Sequence, residues 1–154
     1  MPIHSSLSLV IDSNIWIYLY YCGLVDAALG LGSLHAPDLM RAAEPITELT
    51  WQDLEDKGAI LDELAPDDVR ALIEILNSNR GISFCDAACL VLAEKMDIPL
   101  VSHDNRLLKL ARQRNVRTYN YDALLDVMVA EGIIESEAQQ TAYETLVRIG
   151  ERPR

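Results

Sequence analysis

The sequence predicts one α/β domain built on a short parallel β-sheet with α-helices on both of its faces. Two observations carry that expectation. Compact apolar segments at 7–11, 98–102 and 116–119 alternate with helical stretches, the pattern of strand–helix–strand units. The 154 residues contain no internal repeat, low-complexity tract or Gly/Ser linker, which leaves room for one core and little for a second. The domain is read as residues 1–154, with its core at about 7–134 and a C-terminal helix at 136–149.

Taken in order, 7–11 (LSLVI) is short, apolar and β-branched at its end, as a buried parallel strand should be. It stops at Asp12, and Ser13 or Asn14 is expected to cap a helix carrying Ile15, Trp16, Leu19 and Tyr20. A second short helix is expected from Leu24 to about Leu31, then a brief apolar stretch, 34–36, broken by Pro37. Residues 38–57 read as helical, with Gly58 placed as a C-terminal cap, and 59–64 as a short strand or extended connection. Pro66, Asp67 and Asp68 open a helix well, because proline suits the first turn and acids suit the positive end of the dipole. Its buried face should use Val69, Leu72, Ile73 and Leu76. Ser83 begins another helix, with apolar positions at Ala87, Leu90, Val91 and Met96. The strand at 98–102 is trailed by Asp104, and 105–114 forms an amphipathic helix before the strand at 116–119. Two last helices, 122–131 and 136–149, flank Gly132, the second with a capping box of Ser136 and Gln139.

Composition narrows the function. Half the chain is hydrophobic but only 6% is aromatic, so the core must be mainly Leu, Ile, Val and Ala. A chain of this size typically buries ~68–70% of its unfolded surface and needs no staples. Thirteen basic against 24 acidic residues leave a net charge of −11, which argues against polyanion binding by the surface as a whole. A phosphate-bearing substrate held through metal ions remains compatible. Cys22, Cys85 and Cys89 form no C-x-x-C, and His4, His35 and His103 are scattered, which excludes a disulfide framework and disfavours a closed zinc site. With free thiols, no basic n-region and no apolar run of ~20 residues, a soluble cytoplasmic protein is expected.

The acids carry the most information. Asp12 follows an apolar strand directly and Asp104 trails one closely, and ligand sites in open α/β sheets gather at the carboxyl ends of strands. Clustered carboxylates repel unless a cation lies between them, and hard oxygen donors suit Mg²⁺ or Mn²⁺. Asp86, one turn into the Ser83 helix, is a third candidate. Taken singly, each has a plainer explanation. Asp86 stands at capping-box spacing from Ser83, and Asp104 can simply cap the next helix. Asp12 is harder to dismiss, because an acid closing a buried strand costs desolvation unless it is paired or coordinated.

Three strings then resemble the best-marked motifs of the PIN domain family, in the family's order: Leu-Val-Ile-Asp-Ser-Asn-Ile-Trp-Ile from Leu9, Ile-Ser-Phe-Cys-Asp-Ala-Ala from Ile82, and Leu-Val-Ser-His-Asp-Asn-Arg-Leu from Leu100. The resemblance covers roughly 7–134. It implies a metal-dependent nuclease, commonly a ribonuclease and in many bacteria the toxin of a toxin–antitoxin pair. It implies Asp12, Asp86 and Asp104 as metal-site carboxylates, with Asn14 supporting the site. The family's remaining catalytic acid lies a few residues past a proline after the second strand. Glu44 is the nearest match beyond Pro37, with Asp38 and Glu48 as alternatives.

The resemblance further implies Mg²⁺ or Mn²⁺ as cofactor and products with 5′-phosphate and 3′-hydroxyl ends. RNA binding falls to Arg106, Lys109 and Arg112. With Arg114 and Arg117 they place five of the 13 basic residues between Asn105 and Arg117, with no acid among them. Tyr18, Tyr20, Tyr21, Tyr119 and Tyr121 are candidates for base stacking or for plain packing. Expected partners are RNA, an antitoxin protein and a second copy of the chain, with no membrane. Two other classes compete. A catalytically inactive PIN-fold binding module is one. The other is a phosphoryl-transfer or receiver-type domain using Asp12 as acceptor, although the chain has no D-x-D and no Lys near a strand end after Asp104.

Overall fold

The computed structural model describes residues 7–43 and 48–150. Among them, five strands form one parallel sheet in the order β3-β2-β1-β4-β5. Along the chain these are β1 (Leu7–Ile11), β2 (Gly32–Pro37), β3 (Ile60–Asp62), β4 (Leu100–Val101) and β5 (Thr118–Tyr119). The chain steps outward from β1 to β2 and β3, then crosses back to β4 on the other side of β1. The order therefore reverses between β1 and β4, where Val10 faces Leu100 and Ile11 faces Val101. Ligands of doubly wound sheets bind beyond the carboxyl ends of the strands at such a reversal.

The helices are α1 (Ser13–Tyr21), α2 (Val25–Leu29), α3 (Met40–Ala43), α4 (Trp51–Asp56), α5 (Pro66–Ser78), α6 (Phe84–Met96), α7 (Asn105–Gln113), α8 (Tyr121–Ala130) and α9 (Ser136–Arg148). No described helix is long and apolar enough to cross a membrane. The central one is α6, which touches β1, β2 and β4 and packs between α5 and α7. Its residues Ala87 to Ala93 are all buried, so it is apolar on every side, as a helix enclosed by other elements must be. Aliphatic residues dominate the core as composition required, joined by the fully buried Trp16 and Tyr121.

Several local expectations change. The cap of α1 is Asp12 itself, not Ser13 or Asn14. The stretch 38–57 is not one helix: α4 restarts behind a capping box in which Thr50 and Asp53 exchange hydrogen bonds. In α5 the face is rotated. Leu72 and Ile75 are buried while Val69 and Ile73 stay exposed, because α5 turns Asp68 towards Lys95 of α6. The capping box at Ser136 does not form, since Glu135 holds the N-cap position. Gln139 instead donates its side-chain amide to Asp126 on α8 at 2.6 Å.

Candidate active site

Asp12 ends β1 with an extended backbone, and its N–H donates to the Val101 carbonyl at 3.0 Å, stitching the exits of β1 and β4 together. Its side chain is 1% exposed. Oδ1 accepts the Ser13 N–H at 2.8 Å, and Oδ2 accepts the Ser102 hydroxyl at 2.8 Å. A buried carboxylate is tolerable only with such donors, and the positive end of α1 adds to them.

Ser102 is fully buried directly after β4 and works in two directions. Its hydroxyl donates to Asp12, and the same oxygen accepts the Asp104 N–H at 3.1 Å. One serine thus links the first and third candidate acids across 90 residues of chain. By pattern Ser102 is the last residue of the strand expected at 98–102, with no role in the site. The only signal was a small polar residue closing an apolar strand two positions before an acid. Asp104 caps α7, its Oδ1 accepting the N–H groups of Arg106 at 2.9 Å and Leu107 at 3.3 Å. Its Oδ2 accepts no hydrogen bond from the described residues, and the residue is only half-buried.

Asp86 sits three residues behind the cap of α6. The capping box expected of it exists: the Asp86 N–H donates to Ser83 Oγ at 3.1 Å, and Asp86 Oδ2 accepts the Ser83 N–H at a long 3.4 Å. The α6 helix runs back along the sheet, so its N-terminus lies at the same end as the exits of β1 and β4. Asn14 is exposed on α1 and makes no side-chain hydrogen bond among the described residues. His103 packs edge-on against the Tyr18 ring with centroids 5.6 Å apart.

Glu44 lies outside the described residues. Its two alternatives are both engaged. Asp38 accepts from Arg41 Nε at 2.7 Å, while Arg41 also reaches Glu55 at 2.7 Å, and the two carboxylates hold that guanidinium above its ordinary pKa. Glu48 accepts the Tyr20 hydroxyl at 2.7 Å, a bond that raises the phenol's pKa.

The basic residues after Asp104 divide. As α7 returns along the sheet it carries Arg114 to the opposite end, where it grips Glu94 with two bonds of 2.7 and 3.0 Å. Arg117 there donates to the Asp97 carbonyl at 3.1 Å. Arg106 and Lys109 stay exposed near the Asp104 end, and Arg112 lies beyond them with Nη1 3.4 Å from Thr118 Oγ1. Of the tyrosines, Tyr121 is fully buried and stacks edge-on with Tyr18 at 5.4 Å, which removes both from base stacking.

Hard oxygen donors dominate the switch point, and that chemistry suits a divalent cation. Among the described residues, no three His, Cys, Asp or Glu side chains are grouped closely enough to hold one by themselves.

The model of the PIN domain family matches residues 27–113, more than half of the chain. Among solved structures, a PilT N-terminus domain protein from the hyperthermophilic archaeon Sulfolobus solfataricus P2 is similar with a TM-score of 0.56 at 13% identity. That likeness covers 80% of this chain and 94% of that one, and at such identity it speaks for the fold alone. No curated protein matches the chain. A family match of this extent, on a parallel sheet whose order reverses between β1 and β4, makes the chain a member of the PIN domain family, a family generally made of nucleases.

Proposed function

We propose that the protein is a divalent-metal-dependent endoribonuclease that hydrolyses RNA phosphodiester bonds. The observation that carries this reading is the link Asp12–Ser102–Asp104 at the sheet's reversal point. It puts two acids from distant motifs into one hydrogen-bonded unit where such sheets bind ligands. Asp12, Asp86 and Asp104 are the residues that would hold Mg²⁺ or Mn²⁺, with Glu44 as a further catalytic acid and Asn14 in support. A divalent ion in such a site lowers the pKa of bound water and offsets charge on the phosphate.

The chain's own residues do the rest. Ser102 directs one lone pair of Asp12 and keeps that carboxylate oriented in a buried setting. Asp104 spends one oxygen on the start of α7 and keeps the other for the site. Arg106, Lys109 and Arg112 bind the substrate's phosphates. In the reaction, water's oxygen bonds to phosphorus, the bond to O3′ breaks, and O3′ takes up a proton. The products end in 5′-phosphate and 3′-hydroxyl.

The test is cleavage of a labelled RNA in Mn²⁺ and in EDTA. Cleavage that requires the metal and disappears in Asp12→Asn and Asp104→Asn supports the reading; cleavage indifferent to both overturns it. The finer role, a toxin held by an antitoxin protein in the cytoplasm, rests on the motif resemblance. Growth arrest on expression, abolished by Asp12→Asn, checks it. A second reading, a PIN-fold binding module without catalysis, is favoured by the lack of a three-ligand cluster among the described residues. RNA binding without cleavage under any metal would establish it.

A further inference from the structure

The acidic excess makes unpaired cations conspicuous. Arg41, Lys57, Arg70, Lys95 and Arg114 all form ion pairs with carboxylates. Of the six described cations that form no ion pair, Arg112, Arg117 and Arg148 bond instead to Thr118, the Asp97 carbonyl and Thr145, which leaves Arg80, Arg106 and Lys109. These three line one groove of about 340 Å³ between the end of α5, the turn leading to α6, and α7. No acid lines it. Ile82 and Leu110 supply its apolar surface.

The groove also has a built feature. Gly81 has φ +87°, and a Cβ there would overlap the Arg106 guanidinium, which therefore lies across the bare backbone of the turn. The backbone N–H of the same Arg106 donates to Asp104 at 2.9 Å, so one residue of the groove is bonded directly to a candidate metal ligand.

We propose that this groove binds single-stranded RNA next to the scissile phosphate, with Arg80, Arg106 and Lys109 on consecutive backbone phosphates. An unpaired base covers Ile82 and Leu110. Duplex RNA keeps its bases stacked inside and has none to offer that surface. The assignment rests on the nuclease reading and adds Arg80 and Gly81 to it. A backbone track of this kind is sequence-tolerant and salt-sensitive.

The experiment is fluorescence anisotropy of a labelled oligouridine with the full chain in EDTA, across a salt series, alongside RNA cleavage in Mn²⁺. Each phosphate contact on a single strand contributes a slope of about 0.7 in log K against log salt, or about fivefold in affinity near 0.1 M. Arg80→Gln and Lys109→Gln should each lower affinity by about that factor and flatten the slope by about 0.7. Arg70→Gln, whose partner is Asp67, should change neither. Arg106→Gln should act like the Arg80 and Lys109 variants, with a thermal melt confirming that it is folded. If the Arg80 and Lys109 variants bind like the unmodified chain while cleavage persists, the groove assignment falls and the nuclease reading stands. If cleavage is absent under any metal but oligouridine binding drops in these variants, the nuclease reading falls and the groove remains a single-strand site. Duplex RNA binding as tightly as oligouridine overturns the proposal. So does binding of oligoglutamate in place of oligouridine, which would mark the groove as a dock for an acidic protein segment.

Discussion

The hydroxyl of Ser102 lies 2.8 Å from Oδ2 of Asp12, and both residues are buried where β1 and β4 leave the sheet. The bond neutralises nothing, but it gives a desolvated carboxylate one of its few donors. It also fixes the direction in which the remaining lone pairs point.

Removing that donor should cost more than an ordinary hydrogen bond. Ser102→Ala leaves the Asp12 carboxylate buried with one fewer partner, a penalty of about 1–3 kcal/mol. Urea denaturation should show a lower midpoint at unchanged slope. Metal affinity, read as the rise in melting temperature with Mn²⁺, should fall as well, because a ligand that has lost its orienting bond commonly loses about 10–100-fold in affinity.

Asp86 separates capping from metal binding. In Asp86→Asn the backbone N–H at 86 still donates to Ser83 Oγ, so half of the box survives and the fold should lose less than about 1 kcal/mol. Divalent ions that bind only the folded site raise the melting temperature of the unmodified chain by mass action. That response should vanish in the variant while its melting temperature without metal stays close to the original. Calorimetric scans with millimolar Mg²⁺ or Mn²⁺ check both parts.

The second acid is decided by three substitutions. Glu44→Gln should lower cleavage roughly tenfold or more with RNA affinity retained. Asp38→Asn should mainly loosen Arg41, which then keeps Glu55 and a long bond to Gln52. Glu48→Gln should do little beyond weakening the bond from Tyr20. Single-turnover rates in Mn²⁺ rank the three, and a silent Glu44→Gln beside an impaired Asp38→Asn would move the assignment to Asp38.

Acid should loosen the contact between α5 and α6. The Lys95 ammonium, 2.8 Å away, and then the Ala65 N–H hold Asp68 below the ordinary carboxylate value of 3.8. A group depressed in the folded state contributes stability that is complete above its unfolded pKa and is lost as pH falls through the lower folded value. The Asp68 contribution should therefore be constant from neutrality down to about 4 and decline below it. Asp68→Asn should be less stable than the unmodified chain at pH 7, and the gap should close in acid. Denaturation midpoints measured across that range test the sign.

What the sequence determined by itself is local. The β1 strand falls at 7–11 because an apolar β-branched run needs only its own pattern, and it ends where an acid cannot continue the buried strand. Ser83 caps α6 and Pro66 opens α5 because those preferences act over one helical turn. The placement of Asp12 and Asp104 at strand exits followed from the same short-range reading. Tertiary structure decided everything that depends on distant partners. The sheet order sets β4 beside β1, and only that puts Ser102 on Asp12. Packing on α6 rotated α5, so that Val69 and Ile73 face outward despite helical spacing identical to a buried stripe. The run of basic residues after Asp104, uniform in sequence, was split by the length of α7, which carried Arg114 to Glu94 and left Arg106 and Lys109 beside Arg80. Propensity and pattern act over a few residues, whereas a hydrogen bond or ion pair between elements exists only once the sheet has chosen its neighbours.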